Sequence, residues 1–193
     1  NLEKFFYTKL PKGIPTVLMA SRLLISKGVR EFAEAGKILK ARGFKVKFKL
    51  VGQPDYLNPL SIDLNEIKNW EKKGYIEYLG YQKNIHKLIQ NAHLVVLPSY
   101  YPEGLPKVLC EAAASGRAII TTDKPGCRDS IEEGITGIFV KPQDPIDLAE
   151  AIFKTIKNDK LILSMSTSAR LRAEKLFCIK AIVAKHIDLY NKL

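Results

Sequence analysis

Short apolar runs rich in β-branched residues alternate with helix-period segments along most of this 193-residue chain, and that alternation narrows its fold more than any other feature. The runs fall near Thr16 to Ala20, Lys45 to Val51, Ile76 to Leu79, Leu94 to Leu97, Ala118 to Thr121 and Ile138 to Val140. Helical patterns fit between them near Gly28 to Arg42, Asp63 to Lys73, Ile85 to Asn91, Pro106 to Ala114 and Arg128 to Glu133. Strands that are apolar on both faces must be covered on both. The pattern therefore predicts an α/β fold: a Rossmann-like, doubly wound parallel sheet with helices on both faces, which binds ligands outside the carboxyl ends of its strands. From Pro145 to Leu193 the pattern is helical, two or three helices with Leu148, Ile152 and Ile156 at core spacing.

A hydrophobic content of 46% over this length is enough for one domain with a buried core. Leu10-Pro11-Lys12-Gly13 reads as a linker and the chain opens on Asn1 without methionine, so residues 1–15 are expected to lead from a domain missing here into a domain at 16–193. The uncharged run from Leu88 to Pro102 is broken by Gln90, Asn91 and His93, too short and too polar to span a bilayer, and there is no signal-peptide pattern. Cys110, Cys127 and Cys178 lie far apart without a C-x-x-C. Reduced thiols in a cytoplasmic protein are expected, rather than disulfides or a zinc site. Histidines 86 and 93 read as packing or surface residues.

Net charge is +11, and residues 1–50 carry 12 Lys/Arg against 3 Asp/Glu. Such a basic half suits an anionic partner, whether a membrane surface, a phosphorylated ligand or nucleic acid, and ordinary solubilising charge is the plainer alternative. For nucleic acid, charge is the whole argument, and none is expected as a partner.

Two features carry chemistry. Arg22 and Lys27 follow the first strand, where a following helix exposes N–H groups and the positive end of its dipole, which makes an anion site. Glu103 and Glu111 stand eight positions apart in Glu103-Gly104-Leu105-Pro106-Lys107-Val108-Leu109-Cys110-Glu111, with Pro106 expected at the first helical position. Glu103 then lies on a loop and Glu111 in the helix behind it, two acceptor-only groups able to grip hydroxyl-rich ligands. The N–H groups of Gly104 and Leu105 are further donors for sugar hydroxyl or phosphate oxygens. A glycine at Gly52 lets backbone pass close to a ligand, or simply turns the chain. Tyr81 ends another strand.

The Glu103-to-Glu111 stretch resembles the E-x7-E signature of retaining glycosyltransferases of the GT-B fold, family 4 (glycosyl transferases group 1), and so does Ser21-Arg22-Leu23-Leu24-Ile25-Ser26-Lys27-Gly28, followed by Val51-Gly52 and by Ala112-Ala113-Ala114-Ser115-Gly116. Ser21 stands where that family usually has glycine, and it reads as tolerated variation, a small residue whose hydroxyl is able to donate to a phosphate oxygen. The resemblance implies the donor-binding, C-terminal half of an enzyme whose N-terminal domain supplies most acceptor contacts. Arg22 and Lys27 would bind the donor diphosphate, Glu103 the transferred sugar, Glu111 the ribose hydroxyls, and Tyr81 would lie beside the base. It further implies transfer with retention from a nucleotide diphosphate sugar, a UDP-sugar, to a glycan or lipid-linked acceptor in bacterial surface polysaccharide or lipopolysaccharide synthesis. No D-x-D occurs, and no metal or other cofactor is expected. The expected location is cytoplasmic, with peripheral contact to the anionic inner face of the membrane. The rival class is a non-catalytic module binding a nucleotide or an anionic membrane. A dinucleotide dehydrogenase and a P-loop NTPase are excluded, since neither G-x-G-x-x-G after the first strand nor G-x-x-x-x-G-K-[ST] is present.

Overall fold

The computed structural model describes residues 2–190; residues 191–193, the end of the expected helical tail, lie outside them. Six strands form one parallel sheet: β1 (Thr16–Ala20), β2 (Lys47–Val51), β3 (Glu77–Tyr78), β4 (Leu94–Leu97), β5 (Ala118–Thr122) and β6 (Gly137–Val140). Their order is β3-β2-β1-β4-β5-β6, and every pairing is parallel, with Leu18 opposite both Lys49 of β2 and Val95 of β4.

The helices are α1 (Val29–Ala41), α2 (Leu64–Lys72), α3 (Ile85–Gln90), α4 (Lys107–Ala114), α5 (Cys127–Ser130), α6 (Pro145–Lys157), α7 (Asp159–Leu176) and α8 (Ile179–Tyr190). The chain moves outward from β1 through β2 to β3 and outward the other way from β4 through β5 to β6. Right-handed crossovers in opposite directions put their helices on opposite faces of the sheet. Helix α1 accordingly packs on α6, and α4 on α7. Between β1 and β4 the order reverses, and in such sheets the crevice outside the carboxyl ends of those two strands is the ligand site.

The central strands are buried throughout: Val17, Leu18 and Met19 of β1, Leu94 to Val96 of β4, Ile119 and Ile120 of β5 have no exposure. Each such side chain contributes about 1.5–3 kcal/mol on burial, which is why the strands read as continuous apolar runs. Helix starts follow their capping residues. Asp63 accepts from Asn65 N, Asp144 from Ile146 N and Asp147 N, and Asn158 from Leu161 N.

Four sequence expectations are corrected. The strand from Lys45 begins at Lys47, and the run from Ile76 to Leu79 contributes only two paired residues at the sheet edge. The helix placed over Arg128 to Glu133 is one turn, Cys127–Ser130. Beyond it Ile131 is extended and Glu132 N donates to Thr136 Oγ1, a turn that hands the chain to β6 in place of a longer helix. Pro106 caps α4 from outside, with extended backbone (φ −64°, ψ 119°), and the helix proper begins at Lys107.

Residues 2–15, the expected linker, form no helix or strand, and they lie against the fold. Phe5 is buried, and its carbonyl accepts from Arg170 Nη1 at 3.1 Å. The wholly buried Arg117 donates to the carbonyls of Thr8, Ile89, Gln90 and Gly116. Burial lowers its pKa to about 10, still far above neutrality, so it remains a cation closing the end of α3 onto this segment. His93 is structural: Thr16 N donates to its Nδ1 at 3.1 Å, and burial holds its pKa below the ordinary value. The three cysteines are free thiols. Among the described residues no helix is long and apolar enough to cross a membrane.

Candidate functional site

Past β1 the chain makes a 3-10 turn, Ile25–Lys27, and Gly28 takes a left-handed conformation (φ +80°) before α1. A Cβ at Gly28 would lie 2.4 Å from the Pro98 carbonyl oxygen, so glycine alone lets this turn rest on the segment leaving β4. That approach carries Lys27 across the switch point. Its Nζ meets Glu103 Oε2 at 2.6 Å, and the two side chains are only 14% and 22% exposed. The other carboxylate oxygen, Glu103 Oε1, accepts from the hydroxyl of Ser99 at 3.0 Å. Residues 76 positions apart in sequence thus form one polar cluster at the reversal of strand order.

Arg22 is held differently. Its Nη1 donates to Asp55 Oδ2 at 3.0 Å in a pair 62% and 30% exposed. Ser21, Arg22, Gly52 and Tyr81 line a cavity of about 250 Å³ together with Gln53, Gln82 and Ile85. Tyr81, Gln82 and Ile85 also line a larger neighbouring cavity, about 790 Å³, whose far wall carries Leu105, Lys107, Cys110 and Glu111 and whose rim includes Leu2, Lys4 and Phe5. Lys27 and Glu103 line neither cavity.

Glu111 sits in the second turn of α4 with its side chain 13% exposed, and Lys107 Nζ stands 3.8 Å from Oε1. Burial pushes its carboxyl above the usual carboxylate range, while Lys107 pulls the other way. The neighbouring Cys110 thiol is pushed up to about 11 by burial and by Glu111, so it is protonated at neutral pH. Gly104 and Leu105 are exposed on the loop before Pro106, and among the described residues no acceptor takes their N–H groups.

Two of these residues also serve the protein's own loops. The Ser21 hydroxyl donates to the Arg22 carbonyl at 2.9 Å, which shapes the loop. Gly52 (φ +143°) is required by the turn itself: a Cβ there would stand 1.9 Å from the Ser21 carbonyl oxygen. Its own carbonyl accepts from the Tyr78 hydroxyl at 3.0 Å.

Residues 2–172 match the family model described as Glycosyl transferases group 1. This chain belongs to that family. Among curated relatives it is 35% identical over 206 residues to the N,N'-diacetylbacillosaminyl-diphospho-undecaprenol alpha-1,3-N-acetylgalactosaminyltransferase of Campylobacter jejuni, covering 100% of this chain and 52% of the relative. To the poly(ribitol-phosphate) alpha-N-acetylglucosaminyltransferase of Staphylococcus aureus it is 26% identical, covering 99% of this chain and 37% of the relative. The chain thus spans about half the length, or less, of these group 1 transferases. Among solved structures, Anabaena Alr3699/HepE in complex with UDP superposes with a TM-score of 0.81 at 23% identity, over 93% of this chain and 49% of that one. The C-terminal domain of the group 1 family protein LpcC from Francisella tularensis superposes with a TM-score of 0.78 at 22% identity, over 93% of this chain and 98% of that one. The fold is that of the C-terminal domain of a GT-B glycosyltransferase.

Within this group 1 domain the sequence reading missed Ser99 and Asp55, the partners that hold Glu103 and Arg22. A serine two residues past a buried strand, four residues before a loop glutamate, was the available signal for the first. For Asp55, 33 positions from Arg22, no local pattern marks the pairing.

Proposed function

We propose that this domain is the donor-binding half of a retaining glycosyltransferase that takes a sugar from a UDP-sugar, without a metal ion, and delivers it to a glycan or lipid-linked acceptor in bacterial surface polysaccharide or lipopolysaccharide synthesis. The observation that carries this reading is the Lys27–Glu103–Ser99 cluster at the switch point of a group 1 domain, followed eight residues on by Glu111 in α4. Support for the donor comes from the UDP-bound Anabaena neighbour, and for the acceptor class from the diphospho-undecaprenol and poly(ribitol-phosphate) substrates in the relatives' names.

In this reading the diphosphate lies across the loops after β1 and β4. Lys27 has three donor positions and Glu103 uses one; the others face phosphate oxygens, joined by the exposed Arg22 and by the N–H groups of Gly104 and Leu105. The sugar C1–O bond to phosphate breaks with its electron pair passing to the diphosphate, whose growing charge these donors stabilise. The acceptor oxygen bonds to C1 from the same face, and its proton passes to the departing diphosphate oxygen. Glu103 receives sugar hydroxyls on its remaining lone pairs, Glu111 the ribose hydroxyls, and Tyr81 the base. An N-terminal GT-B domain closes the crevice and brings the acceptor, and the basic residues keep the enzyme at the anionic inner face of the membrane.

Calorimetric titration of the domain with UDP, GDP and ADP, with and without Mg2+, tests this. Selective, metal-independent UDP binding that is lost in Lys27→Ala supports the reading. Preference for another nucleotide overturns the donor, and no binding overturns the assignment of the site.

A further inference from the structure

Ser99 has no exposure, and its position is fixed from two sides. Its carbonyl accepts from the Thr122 hydroxyl of β5, and the next amide, Tyr100 N, donates to the Ser26 carbonyl at 3.0 Å. Its hydroxyl stands 3.0 Å from Glu103 Oε1 and 3.3 Å from the Ser26 carbonyl oxygen. A hydroxyl has one proton to give. The carboxylate is the charged and nearer acceptor, and the Ser26 carbonyl already has Tyr100 N, so the proton belongs to Glu103. Glu103 therefore carries one donor on each oxygen, a hydroxyl from the β4 segment and a lysine from the turn after β1.

The two donors differ in what else they must do. Under the proposed function Lys27 divides its donors between Glu103 and the diphosphate, whereas Ser99 is buried and, among the described residues, has no other charged acceptor. We propose that Ser99 is a positioning residue for sugar transfer: it keeps the Glu103 carboxylate in place, with two lone pairs open toward the donor sugar, while Lys27 engages phosphate. The inference rests on the donor-site reading and adds a residue that acts through Glu103 and touches neither sugar nor nucleotide. A short, stiff hydroxyl suits the task, because it fixes one oxygen at little cost in side-chain entropy.

The test compares a nucleotide with its sugar conjugates in the unaltered chain and in Ser99→Ala. UDP, UDP-glucose, UDP-N-acetylglucosamine and UDP-N-acetylgalactosamine are titrated calorimetrically, and the tightest sugar conjugate is carried into the variants. Ser99→Ala should weaken that conjugate about five- to tenfold, the scale of one hydrogen bond's net contribution, and leave UDP within about twofold. Retained UDP binding also shows that the variant folds. Ser99→Cys, which keeps the volume but donates weakly, should fall on the side of alanine. Equal losses for UDP and conjugate, or no loss for either, overturn the positioning role while the donor site stands. Failure of the unaltered chain to bind UDP overturns the donor reading, and this inference with it.

Discussion

Lys27 and Arg22 come from the same eight-residue stretch and each meets a carboxylate, yet the two pairs differ in kind. Lys27–Glu103 is 2.6 Å long, largely shielded, and braced by a buried serine. Arg22–Asp55 is 3.0 Å long, with the guanidinium 62% exposed and lining a cavity. The difference begins in the backbone. Gly28 lets the Lys27 turn lie against the β4 segment, while Arg22 stays on the outer side of the β1 loop, facing the loop after β2. Shielding raises the worth of a charge pair and lowers its freedom, so the same pairing builds a fixed point on one side of the site and a movable donor on the other.

Removing the fixed side should have the largest effect. Lys27→Ala leaves the shielded Glu103 carboxylate with only Ser99, and is expected to destabilise the domain by about 1–3 kcal/mol and weaken UDP roughly 10- to 100-fold; thermal melting and calorimetry read the two. Double-mutant cycles put the contrast directly. The Lys27–Glu103 coupling should be about 1–2 kcal/mol in denaturant unfolding, and Arg22–Asp55 below about 0.5 kcal/mol; equal couplings would erase the distinction. Arg22→Ala should leave stability within about 0.5 kcal/mol and weaken UDP about five- to tenfold, in the same two measurements.

The smallest effect concerns Glu111. Burial raises its folded pKa above the unfolded one, so the folded state holds the extra proton and stability declines as pH rises from the ordinary carboxylate value through the raised one. Glu111→Gln should therefore melt slightly higher than the unaltered domain at pH 7.5, by less than about 1 kcal/mol, and the gain should vanish at a pH below the ordinary carboxylate range. A gain that persists at low pH would point to something other than the buried charge.

Much of this contrast was invisible in the sequence. The doubly wound parallel sheet follows from apolar runs that had to be covered on both faces, and the spacing of Arg22, Lys27, Glu103 and Glu111 placed each on its loop or helix. Which cation is shielded was not legible, because it depends on where Gly28 lets two loops touch and on partners 33 and 76 residues away. The overlong helix at Arg128 to Glu133 failed for a related reason. Thr136, beyond the helical pattern, offers Glu132 N a turn bond that a helix does not use.

The central claim is that a nucleotide diphosphate lies at the switch point between β1 and β4 and reaches α4. Titrating UDP into the assigned amide spectrum of the domain, without divalent metal, tests it most directly. Saturable shifts should appear from Ser21 to Gly28, at Gly104 and Leu105 and along the first turn of α4, while α6 stays unmoved. Shifts confined to a distant surface, such as the cavity beside His93 and Ile156, or no saturable shift, would contradict it.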